Sequence, residues 1–291
     1  MDRLAVLLTC FNRREKTLEC IRRLREQRGE ESISLAIYLV DDGSSDGTTK
    51  AVSADFPDVH IIQGDGSLYW NGGMRLAWSH ALEIGYDFYL WLNDDSMIHR
   101  DAISNIVKTY HNLVVNGESP GAVVGTMVSP DKKNVTYGGR LCGSLINPLS
   151  FGQVMTPTDK PEKCDFINGN FTLIPELSVR KIGILSDAYT HSIGDFDYGL
   201  RLKEVGLSCW VAPGTYGECQ ENSSVGSCID NSLSIAERKE KMQSISALPP
   251  VNEWKYFVRV HGGYVWPWLW LKAWARGIFP FIWVLVRGKK M

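Results

Sequence analysis

No CxxC pair occurs among the seven cysteines of this 291-residue chain. That absence and the odd total exclude a zinc ribbon and a disulfide framework, so reduced thiols of a cytosolic protein are expected. Neither GxGxxG nor GxxxxGK(S/T) is present, which removes the dinucleotide fingerprint and the P-loop. A net charge of −2 supplies no basic field for nucleic acid. There is no internal repeat, no low-complexity tract and no apolar run near the ~20 residues that span a bilayer. The opening MDRLAVLLTCFNRREK meets charge directly after its apolar run and lacks a cleavage signature. It reads as a first buried strand and not as a signal peptide.

What the chain does have is enough length for a large core, with 44% hydrophobic and 22% charged residues. RLAVLLTC (3–10), SLAIYLV (34–40), VHIIQ (59–63) and DFYLWL (87–92) read as strands. Between them REKTLECIRRLREQ (14–27), a segment near 47–54 and GGMRLAWSHALEIG (72–85) carry helical spacing. This alternation predicts right-handed βαβ units and a mostly parallel sheet covered by helices. After residue 120 the pattern breaks. GAVVGTMVS (121–129) reads as a strand, 130–165 as short strands and loops, DYGLRLKEVG (197–206) as a helix ending at Gly206, and 231–246 as a polar helix.

Ligands of open α/β sheets bind beyond the carboxyl ends of the strands. Asp41 and Asp42 follow the second strand, and Asn93, Asp94 and Asp95 follow the fourth. Such carboxylates suit a hard divalent cation whose shell is completed by phosphate oxygens. Gly72 and Gly73 allow close backbone approach at a helix start, where free N–H groups favour phosphate. GDFDYGLR sets Asp195 and Asp197 at another helix start, with Arg201 one turn beyond Asp197. Each feature also has a plainer reading: turn-forming acids at 41 and 93–95, helix punctuation at the glycines, and N-capping at Asp195.

LLTCFNRREKTLECIRRL, YLVDDGSSDGT, GDGSLYWNGGMRLA, LWLNDDS, INGNFTLIPELSVRKIG and HSIGDFDYGLR occur in that order over some 200 residues. Together they resemble a family 2 glycosyltransferase of the GT-A fold, most of all the bacterial branch that transfers rhamnosyl, galactosyl or galactofuranosyl units in polysaccharide (O-antigen or capsule) assembly. The resemblance implies a Rossmann-like central sheet and a catalytic domain over 1–230. Its nucleotide-binding half would run to about 97, and its acceptor-binding half over 98–230. It places Thr9, Asp41, Asp42, Gly72, Gly73, Asn93 and Asp94 around a nucleotide-sugar donor. Asn93 replaces the first acid of the DxD pattern, Asp95 matches the acid that holds Mn²⁺ or Mg²⁺, and Asp195 matches the general base of a single inverting displacement. The position of a further metal ligand falls at Cys219, a soft thiol poorly matched to Mg²⁺, with Glu218 beside it. His191 and Asp197 are candidates for contact with acceptor or phosphate.

From Trp254 to Met291 the chain has seven basic residues, no acidic one and six of its ten tryptophans. Trp266, Trp270 and Trp274 recur every four residues, with Lys272 and Arg276 on the opposite face. That pattern predicts a helix lying in an anionic membrane interface. With the resemblance it implies a lipid-linked glycan acceptor and a peripheral position on the inner face of the cell membrane. The alternative for 231–291 is a helical segment packed on the catalytic domain or on a second copy. Two other readings stay open: a sugar nucleotidyltransferase, which would want a Gly-rich loop where TCFNRREK has no glycine, and a GT-A scaffold without turnover.

Overall fold

The computed structural model describes residues 1–29, 33–221, 230, 232–243 and 251–278. Leu4 through Leu8 in β1 (Asp2–Cys10) are all fully buried, the pattern of a strand with helices on both faces. Then follow α1 (Arg14–Arg25), β2 (Ile33–Asp41), α2 (Thr48–Asp55), β3 (His60–Gln63), α3 (Tyr69–Ile84) and β4 (Phe88–Leu92). β3, β2, β1 and β4 lie side by side, all parallel. The predicted strands and helices of this half are all present. α3 begins three residues earlier than its sequence pattern suggests, so that GG lies inside its first turn and a half.

The second half runs through β5 (Met97–Ile98), α4 (Ala102–Val115), β6 (Pro120–Val128), β7 (Val135–Tyr137), β8 (Arg140–Cys142), β9 (Phe151–Val154), β10 (Glu162–Cys164), β11 (Phe171–Pro175), α5 (Glu176–Ile182), α6 (Gly194–Glu204) and β12 (Ser208–Glu218). β11 enters the sheet antiparallel to both β4 and β6, and β12 then pairs parallel with β6. The result is one sheet in the order β10-β12-β6-β11-β4-β1-β2-β3. Register shifts in β12 between Val211 and Thr215 accommodate Pro213 and the left-handed Gly214. Those two breakers hide the strand in the sequence.

Helices cover both faces. α1 and α4 bury Ile21, Leu24, Ile103 and Ile106 against one face. α3 and α6 bury Met74, Trp78, Tyr198 and Leu202 against the other. Trp78 sits at the middle of an aromatic group, with ring centroids 5.6, 5.5 and 5.4 Å from Tyr89, Trp91 and Tyr198.

Three helices lie beyond the sheet: α7 (Ile235–Gln243), α8 (Val251–His261) and α9 (Trp266–Ile278). α8 packs on the segments before β9 and α6. Its Phe257 and Val258 are fully buried in a cluster with Leu149, Tyr189 and Ile193. Only α9 keeps the exposed character expected of the tail. Tyr264 just before it and Trp266, Trp268, Trp270 and Leu271 within it all face solvent, and Lys272 stacks on Trp268 at 5.1 Å. The side chains of Trp274 and Arg276 lie outside the described residues. Among those residues no helix is long and apolar enough to cross a membrane.

Trp78→Ala is expected to lower the unfolding free energy by about 3–5 kcal/mol in urea titration, the cost of a large cavity between α3 and the sheet. A loss below about 1 kcal/mol would contradict the central place given to this ring.

Candidate active site

The carboxyl ends of β1, β2 and β4 meet the loop before β11 and the first turn of α6 along one rim of the sheet. The loops after β1 and β2 are laced together: Asn12 donates its backbone N–H to Ser44 Oγ at 2.9 Å, and its Oδ1 accepts from Ser45 N at 2.8 Å. Asn12 takes a left-handed φ of 52° to do so, a conformation that asparagine tolerates.

Asp41 and Asp42 are both buried. Asp41 accepts from Ser44 N at 2.9 Å and from the Thr49 hydroxyl. Asp42 accepts from Gly66 N and Tyr69 N, each at 2.9 Å, and thereby shapes the loop that starts α3. Gly72 and Gly73 face protein. Gly72 N–H bonds to Leu68 O at 3.1 Å, and a β-carbon on Gly73 would lie 2.2 Å from Thr9 Oγ1. Gly73 lets α3 approach the end of β1, and Thr9 fills the space it leaves, while Gly72 faces Leu68.

The acids after β4 are held by a residue that the sequence reading used only to exclude a Gly-rich loop. Arg13 Nη1 reaches Asp94 Oδ1 at 3.2 Å and Asp95 Oδ2 at 2.9 Å. Thr17 adds its hydroxyl to Asp94 Oδ2 at 3.1 Å. Burial raises the Asp94 carboxyl to about 6, against the opposing pull of Arg13, and Asp95 raises it further. Position in the chain is the signal for Arg13: it lies in the loop after β1, facing the same rim as every other candidate. Asn93 turns its Oδ1 to Trp70 Nε1 at 2.7 Å. Trp70 in turn lies so close to Gly169 that a β-carbon there would meet the ring at 2.1 Å.

Cys219 does stand beside Asp95, its Sγ 3.7 Å from Asp95 Oδ1 and 3.3 Å from Asn170 Nδ2. Burial, and Asp95 after it, push the thiol up to about 12, so beside Asp95 and Asn170 it carries its proton while no cation is bound. Glu218 points to Lys132, 3.3 Å away. Among the described residues no group of three or more His, Cys, Asp or Glu side chains converges as a metal cage. Two carboxylates nevertheless converge on one positive atom, Arg13 Nη1. A cation held by one or two carboxylates and completed by ligand phosphates needs no more protein than Asp94 and Asp95. The residues fit a hard divalent ion of that kind.

Asp195 lies in the first turn of α6, deep among protein atoms yet partly open to solvent. It accepts from Gly169 N at 3.1 Å and Phe196 N at 2.9 Å. Burial raises its carboxyl to about 6, and those two N–H bonds restrain the rise. Gly169 therefore touches both Asp195 and Trp70, joining this carboxylate to Asn93 through two intervening residues. His191 stacks edge-on to Tyr69 at 5.7 Å, its Nδ1 without a partner, and burial lowers its pKa so that it is neutral. Asp197 points away from the rim. It is buried against Tyr189 (3.2 Å), Arg201 (2.8 Å) and His261 (2.8 Å), so no oxygen is free for an acceptor or phosphate.

A mixed sheet with paired acids at the end of β4 and a single carboxylate across the rim defines the GT-A class of glycosyltransferases. Residues 5–174 match Glycosyl transferase family 2, and the chain belongs to that family. A mannosyltransferase from Pyrobaculum calidifontis, solved in complex with GDP-Man and Mn²⁺, is similar over 99% of this chain and 73% of its own (TM-score 0.57, 18% identity). TarS 1–349 of S. aureus, solved with UDP-GlcNAc, is similar over 98% of this chain and 88% of its own (TM-score 0.58, 11% identity). At such identities the likeness is one of fold. No curated protein matches the chain in sequence.

Native Asp94 keeps its proton to about pH 6, while in the unfolded chain it ionises near about pH 4. The native state thus binds more protons in that window, and stability falls as pH rises through it. Arg13→Gln removes the opposing charge and extends the fall above pH ~6, so the urea midpoint should drop more at about pH 8 than at about pH 5. Equal drops at both would show that Arg13 does not act on Asp94.

Proposed function

We propose that the chain is an inverting, divalent-cation-dependent glycosyltransferase. It takes a sugar from a UDP- or dTDP-linked donor and passes it to a hydroxyl of a lipid-linked glycan during cell-surface polysaccharide synthesis. The observation that carries this reading is Asp195: one carboxylate, partly open, with a pKa raised to about 6, tied through Gly169 and Trp70 to Asn93, the neighbour of the acids after β4. A single inverting displacement needs one base, which removes the acceptor hydroxyl proton as that oxygen attacks the anomeric carbon. A pKa near 6 leaves Asp195 ionised at neutral pH yet basic enough to share the proton in the transition state.

Asp94 and Asp95 would hold Mn²⁺ or Mg²⁺, which when bound offsets charge on the departing nucleoside diphosphate. Arg13, already at that position, adds a guanidinium suited to phosphate oxygens. The loops fixed by Asp41 and Asp42 form the floor on the nucleoside side. The exposed tryptophans of α9 and the acid-free basic stretch around them support docking on an anionic membrane surface, where a lipid-linked acceptor resides.

Binding of UDP-, dTDP- and GDP-sugars should be metal-dependent for one donor and vanish on chelation or in Asp95→Ala. Affinity that ignores both would remove the cation from the reading. Asp195→Asn should keep that donor affinity and lose transfer by about 10²–10⁴-fold, and wild-type kcat/KM should rise with pH to a plateau above about 6. Near-normal transfer by Asp195→Asn would exclude it as the base. Replacing Trp266, Trp268 and Trp270 together by alanine should strongly reduce co-sedimentation with phosphatidylglycerol vesicles, and unchanged binding would exclude α9 as the docking element.

A further inference from the structure

The stretch 186–193 leads into the base-bearing turn of α6 and is gripped from two sides. On the inner side, Asn71 of α3 donates its Nδ2 to Ser186 O at 2.9 Å and to Tyr189 O at 2.7 Å, and its backbone N–H to Thr190 O at 3.2 Å. On the outer side lies α8. Near its start, Glu253 accepts from Thr190 N at 3.1 Å. At its last residue, buried His261 places Nε2 2.8 Å from Asp197 Oδ1 and Nδ1 3.4 Å from Glu204 Oε1.

The grip has strain to hold. Ile193 stands at φ 63° immediately before α6. A β-branched residue in that region costs of order 1–3 kcal/mol and persists only where its surroundings over-determine it. Those surroundings are Phe257 and Val258 of α8, with Tyr189 and Leu149. Arg201 already neutralises Asp197 from within α6. The His261 bond is therefore an addition from outside, and it fixes α6 to α8.

We propose that α8 is part of the catalytic apparatus, and that His261 is a positioning residue that holds the head of α6, and with it the Asp195 carboxylate, through its hydrogen bond to Asp197. The inference rests on the reading of Asp195 as the base. α8, like α6 itself, lies beyond residues 5–174 that match the family. The charged and titratable groups around the head of α6 are Arg140 of β8, Tyr189, Asp197, Arg201 and Glu204, together with His261 and Glu253 of α8.

The test compares wild type, His261→Ala, His261→Gln and the double variant His261→Ala/Ile193→Gly, all in the full chain. Two readouts need no turnover: titration of the Asp195 carboxyl by ¹³C NMR, assigned with Asp195→Asn, and affinity for UDP with Mn²⁺. In His261→Ala the Asp195 midpoint is expected to fall from about 6 towards the ordinary carboxylate range as the turn opens to water, with UDP affinity unchanged within about twofold. Glutamine keeps a donor and should stay near wild type. Glycine at 193, free to adopt positive φ, should return the midpoint of the double variant towards wild type. Should His261→Ala fail to fold, Glu253→Ala, which removes the acceptor at the other end of α8, reads the same shift. An unmoved midpoint in a folded variant, or a parallel loss of UDP affinity, overturns the proposal. Once a donor is known, a fall in kcat at constant donor KM reports the same displacement, whereas active Asp195→Asn would overturn the base assignment instead.

Discussion

Two carboxylates side by side at the end of a buried strand cannot both remain ionised without a positive partner, and here one guanidinium serves both. Arg13 lies in the loop after β1, while Asp94 and Asp95 follow β4, the strand paired directly with it. The parallel register of that pair brings the two loops to the same rim. Everything else at the rim adjusts to this charge arrangement. Asp94 is pushed towards its neutral form, Cys219 keeps its proton beside Asp95, and Thr17 takes up the remaining oxygen of Asp94. One guanidinium against two carboxylates leaves an excess of negative charge at the rim.

Close approach is the second theme, and it explains three small residues. Gly73 admits Thr9, Gly169 admits the face of Trp70, and Gly194 lies where a β-carbon would sit 1.9 Å from Asn71 Oδ1. Each contact joins one functional loop to its neighbour: β1 to α3, α3 to the loop before β11, and α3 to the head of α6. The backbone is bent accordingly, with positive φ at Asn12, Tyr69 and Ile193, all at starts of segments that face the rim. Such strain is tolerable because a large, rigid core surrounds it.

The first half of the fold was legible because burial on both strand faces leaves a continuous apolar run, and each run ended in a polar loop at the rim. The second half was less so. α4 was passed over although Ile103, Ile106, Val107 and Leu113 mark one helical face. β12 was concealed by Pro213 and Gly214. Among site residues, the acids announced themselves by position, but their partners did not. That Asp197 faces His261 depends on a contact across 64 residues, which no local pattern encodes. Arg13 and Trp70 lie within the stretches that carry the family resemblance, but nothing local pairs them with Asp94, Asp95 or Asn93. The tail divides between its two readings: α8 packs on the core through Phe257 and Val258, while the aromatic residues of α9 stay outside.

β11 runs against its neighbours and so stitches the parallel strands β3, β2, β1 and β4 to β6 and β12 in one hydrogen-bonded sheet. A molecule joined in this way has no crease along which its halves could swing apart. Cleft closure of the two-lobed kind would tear backbone hydrogen bonds between β4, β11 and β6, each pair among the most deeply buried of the chain. Any opening and closing at the rim would therefore fall to its loops, above a floor held as one hydrogen-bonded sheet.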